Sequence, residues 1–191
     1  MKKTGKAMCA ACDIPPRERI CMNAGGKSFQ NCPTMSKKRL SVDALKAYRT
    51  AATGMFARQA SIQEGECYGG RDQRPYVMHP VKPRIQETWE FARKMGYTRL
   101  GLVFCIGLAR EAAVIDGVFR KKGFEVVSVA CKVGGIPKEE LGIREEEKIF
   151  IGNFEVMCNP ILQALVVNDA QTDFNILVGL CVGHDSLFLK H

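Results

Sequence analysis

The sequence predicts an α/β protein with a three-layer, mostly parallel, Rossmann-like sheet and an N-terminal cysteine-rich metal module. The sheet is predicted by three apolar runs of strand length after residue 97, which segments with helical spacing separate. The module is predicted because four of the nine cysteines lie in the first 39 residues, where apolar periodicity is missing. The predicted domains are a metal-binding module at 1–39 and an α/β domain at 40–191, helical over 40–96 and βαβ-type over 97–191.

The cysteines of the module have the spacing C-x2-C-x8-C-x10-C, formed by Cys9, Cys12, Cys21 and Cys32. A C-x2-C pair places two sulfurs on one turn, and two later thiolates can complete a tetrahedron around a metal ion. Such a site would stabilise a segment that cannot bury a core of its own. Zn is the default metal, and a 4Fe-4S cluster is the alternative because Pro33 follows Cys32. Unrelated reduced thiols on a flexible arm would give the same spacing.

The net charge of +8 is concentrated in the module. Residues 1–39 hold nine Lys and Arg against two acidic residues. The alternative function is therefore a nucleic-acid-binding module that uses a basic zinc knuckle. Phe29 is the only aromatic residue in this segment, which gives little support for stacking on bases. A solvated basic face is the simpler interpretation.

The composition favours a cytoplasmic protein without a membrane partner. No run of about 18 apolar residues is present, and the basic start Met1–Lys6 precedes no apolar signal segment. In a reducing compartment, nine cysteines indicate metal ligands or reactive thiols rather than disulfides, which an odd count also fits poorly. The oligomeric state is open, and a homo-oligomer is one option.

The helical region is predicted to contain a helix over Ser41–Gln63, capped by Ser41, and a second helix over Val81–Met95. The loop between them holds Cys67, which is either a further metal ligand or a cysteine without a role. It also holds His79, for which a surface or capping role is simpler than metal binding.

The C-terminal half alternates strands and helices, as a right-handed βαβ unit requires. Gly123 ends the first crossover helix, and Asn159 can cap the second, which begins at Pro160. The charged stretch 136–148 is predicted to be a loop with a short exposed helix. The predicted strands are Leu100–Phe104, Phe124–Ala130 and Thr172–Leu180.

Each of these strands is followed by a cysteine, namely Cys105, Cys131 and Cys181. The carboxyl ends of parallel strands lie at one edge of a sheet, so these thiols can meet there. Cys158 and His184 belong to the same edge if the helices run antiparallel to the strands. These five residues form a possible second site for a metal or a reactive thiol. Because cysteine is also a common buried hydrophobe, simple core packing is the competing explanation.

The sequence leaves open whether the chain is an enzyme. Cys181 is the candidate nucleophile or ligand, with His184 as base, ligand or orienting group. The turn that carries Cys181 is expected to favour the thiolate and to precede a helix capped by Asp185 or Ser186. Redox or sulfur-transfer chemistry fits thiolates at helix N-termini better than hydrolysis does. The nucleotide-binding G-x-G-x-x-G, the P-loop and the hydrolase G-x-S-x-G patterns are missing.

The cysteine segments resemble a family of unknown function from anaerobic bacteria and archaea whose members are described as cysteine-rich and metal-binding. The resemblance covers nearly the whole chain and is most specific in the segment with Cys181 and His184. It implies metal binding through cysteines and no known reaction. It also implies that relatives continue past the position of His191 with another strand. The residues that carry it are Cys9-Ala-Ala-Cys12, Asn31-Cys32-Pro33, Leu102-Val-Phe-Cys105-Ile-Gly-Leu108, Met157-Cys158-Asn-Pro160 and Val178-Gly-Leu-Cys181-Val-Gly-His-Asp-Ser186.

Overall fold

A computed structural model describes residues 6–191. The chain forms two compact units, Met1–Ala60 and Ser61–His191. The predicted metal module falls within the first unit, and its predicted end at residue 39 stays a prediction. Residues 1–5, which make up most of the basic start of the chain, lie outside the described residues.

The first unit is rich in turns and has little packing of its own. It contains two 3-10 helices, Cys9–Ala11 and Pro16–Glu18, followed by the short helix α1, Pro33–Ser36. None of the described residues of this unit, 6–60, is buried. An apolar core therefore contributes little to holding the cysteine-bearing turns in place.

The single helix predicted over Ser41–Gln63 is wrong, because two helices cover this region. Helix α2 spans Lys38–Tyr48 and helix α3 spans Ala51–Glu66. The break follows from Thr50, whose hydroxyl donates a 2.9 Å hydrogen bond to the Ala47 carbonyl while its own carbonyl accepts the first bond of α3, from Gly54.

The region predicted as helical over 40–96 also contains a small antiparallel pair, β1, Tyr68–Gly69, and β2, His79–Pro80. Helix α4 spans Arg84–Lys94 and is shorter than predicted at both ends. It starts late because Pro83 is extended, with φ −74° and ψ 153° at the N-cap.

Three parallel strands form the sheet of the second unit, which confirms the mixed α/β class. Strand β3, Arg99–Phe104, lies between β4, Glu125–Ala130, and β5, Phe174–Val178. Phe104 pairs with Ala130 on one side and with Val178 on the other, so the carboxyl ends of the strands are level. The helices of this half are the 3-10 turn Ile106–Leu108, α5 at Ala109–Lys121, the 3-10 turns Lys138–Leu141 and Glu145–Glu147, α6 at Pro160–Asp169 and α7 at His184–Lys190.

Two clusters of buried side chains hold this sheet. Alternate residues of β3 point to opposite faces, so Leu100 and Leu102 belong to one cluster and Val103 to the other. The first cluster also takes Ala92 from α4 and Ala112, Phe119, Phe124 and Val126, and the second takes Val129, Ala164, Val167 and Phe188. Strand β3, at the centre of the sheet, is therefore packed by buried side chains on both of its faces.

A long segment joins β4 to α6, and we call residues 132–157 the β4–α6 connection. Its charges mostly pair with one another: the Lys148 ammonium, only 4% exposed, lies 2.6 Å from Glu139 and 2.7 Å from Glu145. Glu155 pairs with Lys138 at 2.6 Å and accepts hydrogen bonds from the Ile149 and Phe150 amides. At its tip, four apolar side chains are 63% to 75% exposed, namely Ile149, Phe150, Ile151 and Phe154.

No helix in the described part of the chain is both long enough and apolar enough to cross a membrane.

Candidate metal centre

The carboxyl edge of the sheet brings three of the predicted thiols to one place. Cys105 and Cys131 directly follow β3 and β4, and their amides extend the ladder by hydrogen bonds to Val178 O, 3.2 Å, and Phe104 O, 2.9 Å. This pairing fixes the backbone of both cysteines at the level where the strands end.

A glycine-flanked turn places the third thiol. Gly179 and Gly183 have φ of 60° and 80°, values that side-chain-bearing residues rarely adopt. The chain therefore folds back at Cys181, and the His184 amide donates a 2.9 Å hydrogen bond to the Cys181 carbonyl. Helix α7 begins at His184 with Gly183 at its N-cap, so the expectation that Asp185 or Ser186 caps this helix is wrong.

Cys158 reaches the same edge from the start of α6. The Asn159 side chain accepts a 3.0 Å hydrogen bond from the Leu162 amide, which confirms Asn159 as the cap of this helix. The Asn159 amide donates a 2.7 Å hydrogen bond to the Cys131 carbonyl. These contacts leave the sulfur atoms of Cys158 and Cys131 only 3.8 Å apart.

Three potential ligands converge at this edge. The sulfur atoms of Cys158 and Cys181 and a ring nitrogen of His184 all lie within 4.8 Å of one another. The His184 Nδ1 atom is buried and has no hydrogen-bond partner among the residues that the structure describes. Two thiols and an imidazole nitrogen are donors that transition-metal ions bind, and a buried ring nitrogen without a partner is unusual in a folded protein.

The other two residues of the predicted second site lie beside this group. Cys131 is 3% exposed, and its sulfur accepts a 3.3 Å hydrogen bond from the Ile106 amide. Cys105 interacts with the thiol of Cys181. The structure thus brings all five predicted residues to one edge, with Cys158, Cys181 and His184 as the mutually close set.

The expectation that the turn favours the thiolate of Cys181 is not supported by the surroundings of this thiol in the chain alone. Partial loss of solvation at the sulfur, together with the neighbouring thiols of Cys105 and Cys158, raises the pKa of Cys181, although the residue as a whole is exposed. Burial also raises the pKa of Cys131 to about 11, although the Ile106 amide opposes this. Both thiols are protonated at neutral pH unless a cation offsets the loss of solvation.

The four cysteines of the first unit line a common cavity of about 60 Å³, together with Arg19, Lys27 and Phe29. The Arg19 guanidinium orders the loop by donating hydrogen bonds to Ile14 O at 2.6 Å and Cys12 O at 3.1 Å. Burial opposes ionisation of Cys32, but hydrogen bonds from Thr34 and the Met35 amide lower the pKa of its thiol. Within the described residues, no three of these sulfurs lie within 4.8 Å of one another.

Cys67 and His79 lie outside both groups of cysteines. Cys67 is 2% exposed and donates a 2.9 Å hydrogen bond to Gln63 O, and burial raises the pKa of its thiol. His79 is exposed on β2, and its Nδ1 lies 3.3 Å from Val77 O. These contacts favour the structural interpretation of both residues.

One residue that supports this edge was not among the predicted site residues. Gln163 of α6 is fully buried, and its amide nitrogen donates to Phe104 O at 3.2 Å and to Val129 O at 2.9 Å. It thereby ties together the ends of β3 and β4, one residue before Cys105 and two residues before Cys131. A glutamine among the apolar residues of α6 was the available signal.

Comparison with known proteins gives a family without a described activity. A family model described as "Protein of unknown function (DUF1847)" matches residues 32–191. An uncharacterized protein of Methanocaldococcus jannaschii is 48% identical over 110 residues, which are 58% of this chain and 55% of that protein. The matched segment thus spans about half the length of this relative. No solved structure matches significantly.

Proposed function

Because the chain belongs to this family of unknown function, DUF1847, we propose its function from the site: it binds a single metal ion through Cys158, Cys181 and His184. The observation that carries the proposal is the convergence of three donor atoms within 4.8 Å. The buried, unpaired Nδ1 of His184 supports it, because a bound cation would supply the missing partner.

The spacing of the donors supports a mononuclear ion, and we propose Zn²⁺. Sulfurs bound at about 2.3 Å in a tetrahedron lie about 3.8 Å apart. The three donors already approach this separation. A 4Fe-4S cluster is the weaker candidate here, since its four iron atoms would hold the thiolates farther apart than these donors lie.

Two thiolates and one imidazole leave a fourth position on a tetrahedral zinc ion. Sites with three protein ligands and one exchangeable position are the catalytic type, whereas four protein ligands make a structural site. The ion would also offset the raised pKa of Cys181 and hold its sulfur as a thiolate. With the free thiols of Cys105 and Cys131 alongside, redox or sulfur chemistry is the reaction class that we propose for this site.

The N-terminal module is proposed to hold a second, structural metal ion through Cys9, Cys12, Cys21 and Cys32. Their C-x2-C-x8-C-x10-C spacing and their common cavity support this assignment. Because no described residue of this unit is buried, a bound ion would stabilise its fold in place of an apolar core. The finer description of the second unit as a three-layer, Rossmann-like domain is part of the same proposal, supported by clusters that use opposite faces of β3.

The test is metal analysis of protein purified without oxygen, with a visible spectrum of each sample. We expect two zinc ions per chain and no colour. H184A should remove one zinc and C12S the other, because each variant deletes a ligand of a different site. H79A is the matched control for the histidine and C67A for the cysteine, and both should keep the full metal content.

Circular dichroism of each variant shows whether a loss of metal reflects a loss of fold. A folded H184A variant that retains all of its zinc would overturn the proposed site. A brown protein with iron and sulfide would overturn the choice of zinc and support the cluster.

A further inference from the structure

We propose that Cys131 and Cys158 are a redox-active thiol pair, and that their oxidation to a disulfide empties the metal site. The inference rests on the proposed role of Cys158 as a ligand. Its starting point is the 3.8 Å separation of the two sulfur atoms. Cys131 has no part in the three-ligand group, yet it lies against one of its members.

Hydrogen bonds hold the backbone on both sides of the pair. The Asn159 amide donates to Cys131 O at 2.7 Å, and the Met157 amide donates to Ile136 O at 2.8 Å. The Lys132 ammonium donates to Val156 O at 2.5 Å. The two sulfurs, 3.8 Å apart, need to approach by less than about 2 Å to reach bonding distance.

Within the pair, exposure decides which sulfur meets an oxidant first. Cys158 is partly exposed, whereas Cys131 is buried. Hydrogen peroxide, as the oxidant, converts the Cys158 thiol to a sulfenic acid and releases one water. The Cys131 thiol then attacks the Cys158 sulfur, so an S–S bond forms, the S–OH bond breaks, and the hydroxyl leaves with the Cys131 proton as a second water. The two thiols together lose two electrons, and peroxide gains them.

The disulfide would remove the metal because Cys158 could no longer provide a thiolate. Only Cys181 and His184 of the proposed ligands would remain, and two ligands hold zinc poorly. A dithiol reductant would return two electrons to the pair and restore the site. The pair would thus make metal binding at this edge sensitive to oxidation.

The experiment treats the full chain with hydrogen peroxide, blocks the remaining thiols by alkylation, and maps cross-linked peptides by mass spectrometry. Zinc release is followed in parallel with a chromogenic chelator. We expect a Cys131–Cys158 link, release of one zinc per chain, and recovery of both after reduction. C131S should lose this zinc at least about tenfold more slowly, since Cys158 would have lost the thiol that lies 3.8 Å from its sulfur.

C67A is the control and should behave like the unmodified chain, since Cys67 lies in neither group of cysteines. The same mapping on chelator-treated protein detects the link without metal, so failure of the proposed metal site and failure of the pair are separate results. A Cys105–Cys181 link in its place, or over-oxidised Cys158 without a link, would overturn the pair. A folded C131S or C131A variant that binds no zinc before oxidation would also overturn it, because Cys131 would then be a ligand.

Discussion

Glu90 is the acidic residue whose ionisation the fold most clearly controls. Its carboxylate accepts hydrogen bonds from Lys82 at 2.7 Å and from Gln63 and Gln86 at 2.8 Å each. The hydrogen bond from Lys82 is the largest contribution, and together these contacts lower the pKa of Glu90 to about 2, although burial opposes the shift. The ionised carboxylate therefore stabilises the folded chain.

We expect E90Q to lower the free energy of unfolding at pH 7 by about 1–2 kcal/mol, as for other partly buried charged hydrogen bonds. A carboxyl with a depressed folded pKa stabilises the fold above its unfolded pKa, and this stability disappears as the pH falls through the folded value. The gap between E90Q and the unmodified chain should therefore shrink from about pH 4.5 to about pH 2. Urea melts at several pH values measure it.

E140Q is the matched control, since Glu140 is exposed on the β4–α6 connection. A gap for E90Q that stays constant across this pH range would contradict the assigned role of the Glu90 charge. An equal effect of E140Q would mean that the loss of any acidic charge, and not the contact with Lys82, is responsible.

Individual residues of the candidate site were predictable where the backbone decides their position. Cys105 and Cys131 follow strands whose ends are level, so their convergence follows from strand pairing alone. The protonation of Cys181 was not predictable in this way. It depends on burial and on neighbouring thiols that come from distant parts of the chain.

At the scale of single elements, Gly101 shows how closely α6 and β5 pack around the central strand. A Cβ atom at Gly101 would overlap Asn175 Oδ1, which Thr172 holds by a 2.7 Å hydrogen bond, and would lie 3.2 Å from Val167. Gly117 in α5 is the opposite case, because a Cβ there would meet nothing within 4 Å.

We expect G101A to destabilise the fold by about 2–3 kcal/mol, as overpacking of a buried position does. G117A should stabilise it by about 0.5–1 kcal/mol, because alanine favours a helix interior over glycine. Thermal or urea unfolding of both variants gives the two differences. If G101A leaves the free energy of unfolding unchanged, Asn175 can move aside, and the packing around β3 is looser than these distances indicate.

The elements themselves were predictable to different degrees. A continuous apolar run marks β3 well, because both faces of this strand need apolar side chains. The break between α2 and α3 was missed because the hydroxyl of Thr50 produces it without any glycine or proline. The pair of β1 and β2 was missed because two-residue strands have no periodicity.

For the whole molecule, the apolar tip of the β4–α6 connection is an uncommon surface feature. Large apolar side chains that are consecutive in the chain and well exposed favour association. Ion pairs of Lys148 and Glu155 hold this segment in place, so the apolar side chains at the tip do not easily turn away from solvent.

We expect F150S combined with F154S to lower retention on a hydrophobic column and to reduce the fluorescence of an added apolar dye. Both follow from the loss of exposed aromatic area. The melting temperature should change little, because these rings are 63% and 71% exposed in the folded chain. V114S, at a single exposed position on α5, is the control for scattered apolar exposure. Unchanged retention would show that the tip is covered in solution.

The α/β class and the parallel sheet were predictable from the whole chain, since alternating patterns allow few topologies. The net charge of the basic first unit does not by itself identify a binding partner. Residues 1–60 hold twelve Lys and Arg against three acidic residues, while residues 61–191 hold sixteen against seventeen. Nucleic-acid binding and self-association therefore stay predictions, and a steep loss of nucleic-acid affinity with added salt would support the former.

The base of the β4–α6 connection also has a consequence for how such a chain can change over generations. Pro137 bridges Val156, and the Lys138 amide donates to Glu155 O at 2.9 Å, so the two sides of the connection are joined before the tip begins. Insertions, deletions and substitutions beyond this base need not move Cys131 or Cys158. The outer part can therefore diverge in length and character while the thiols at its root keep their spacing.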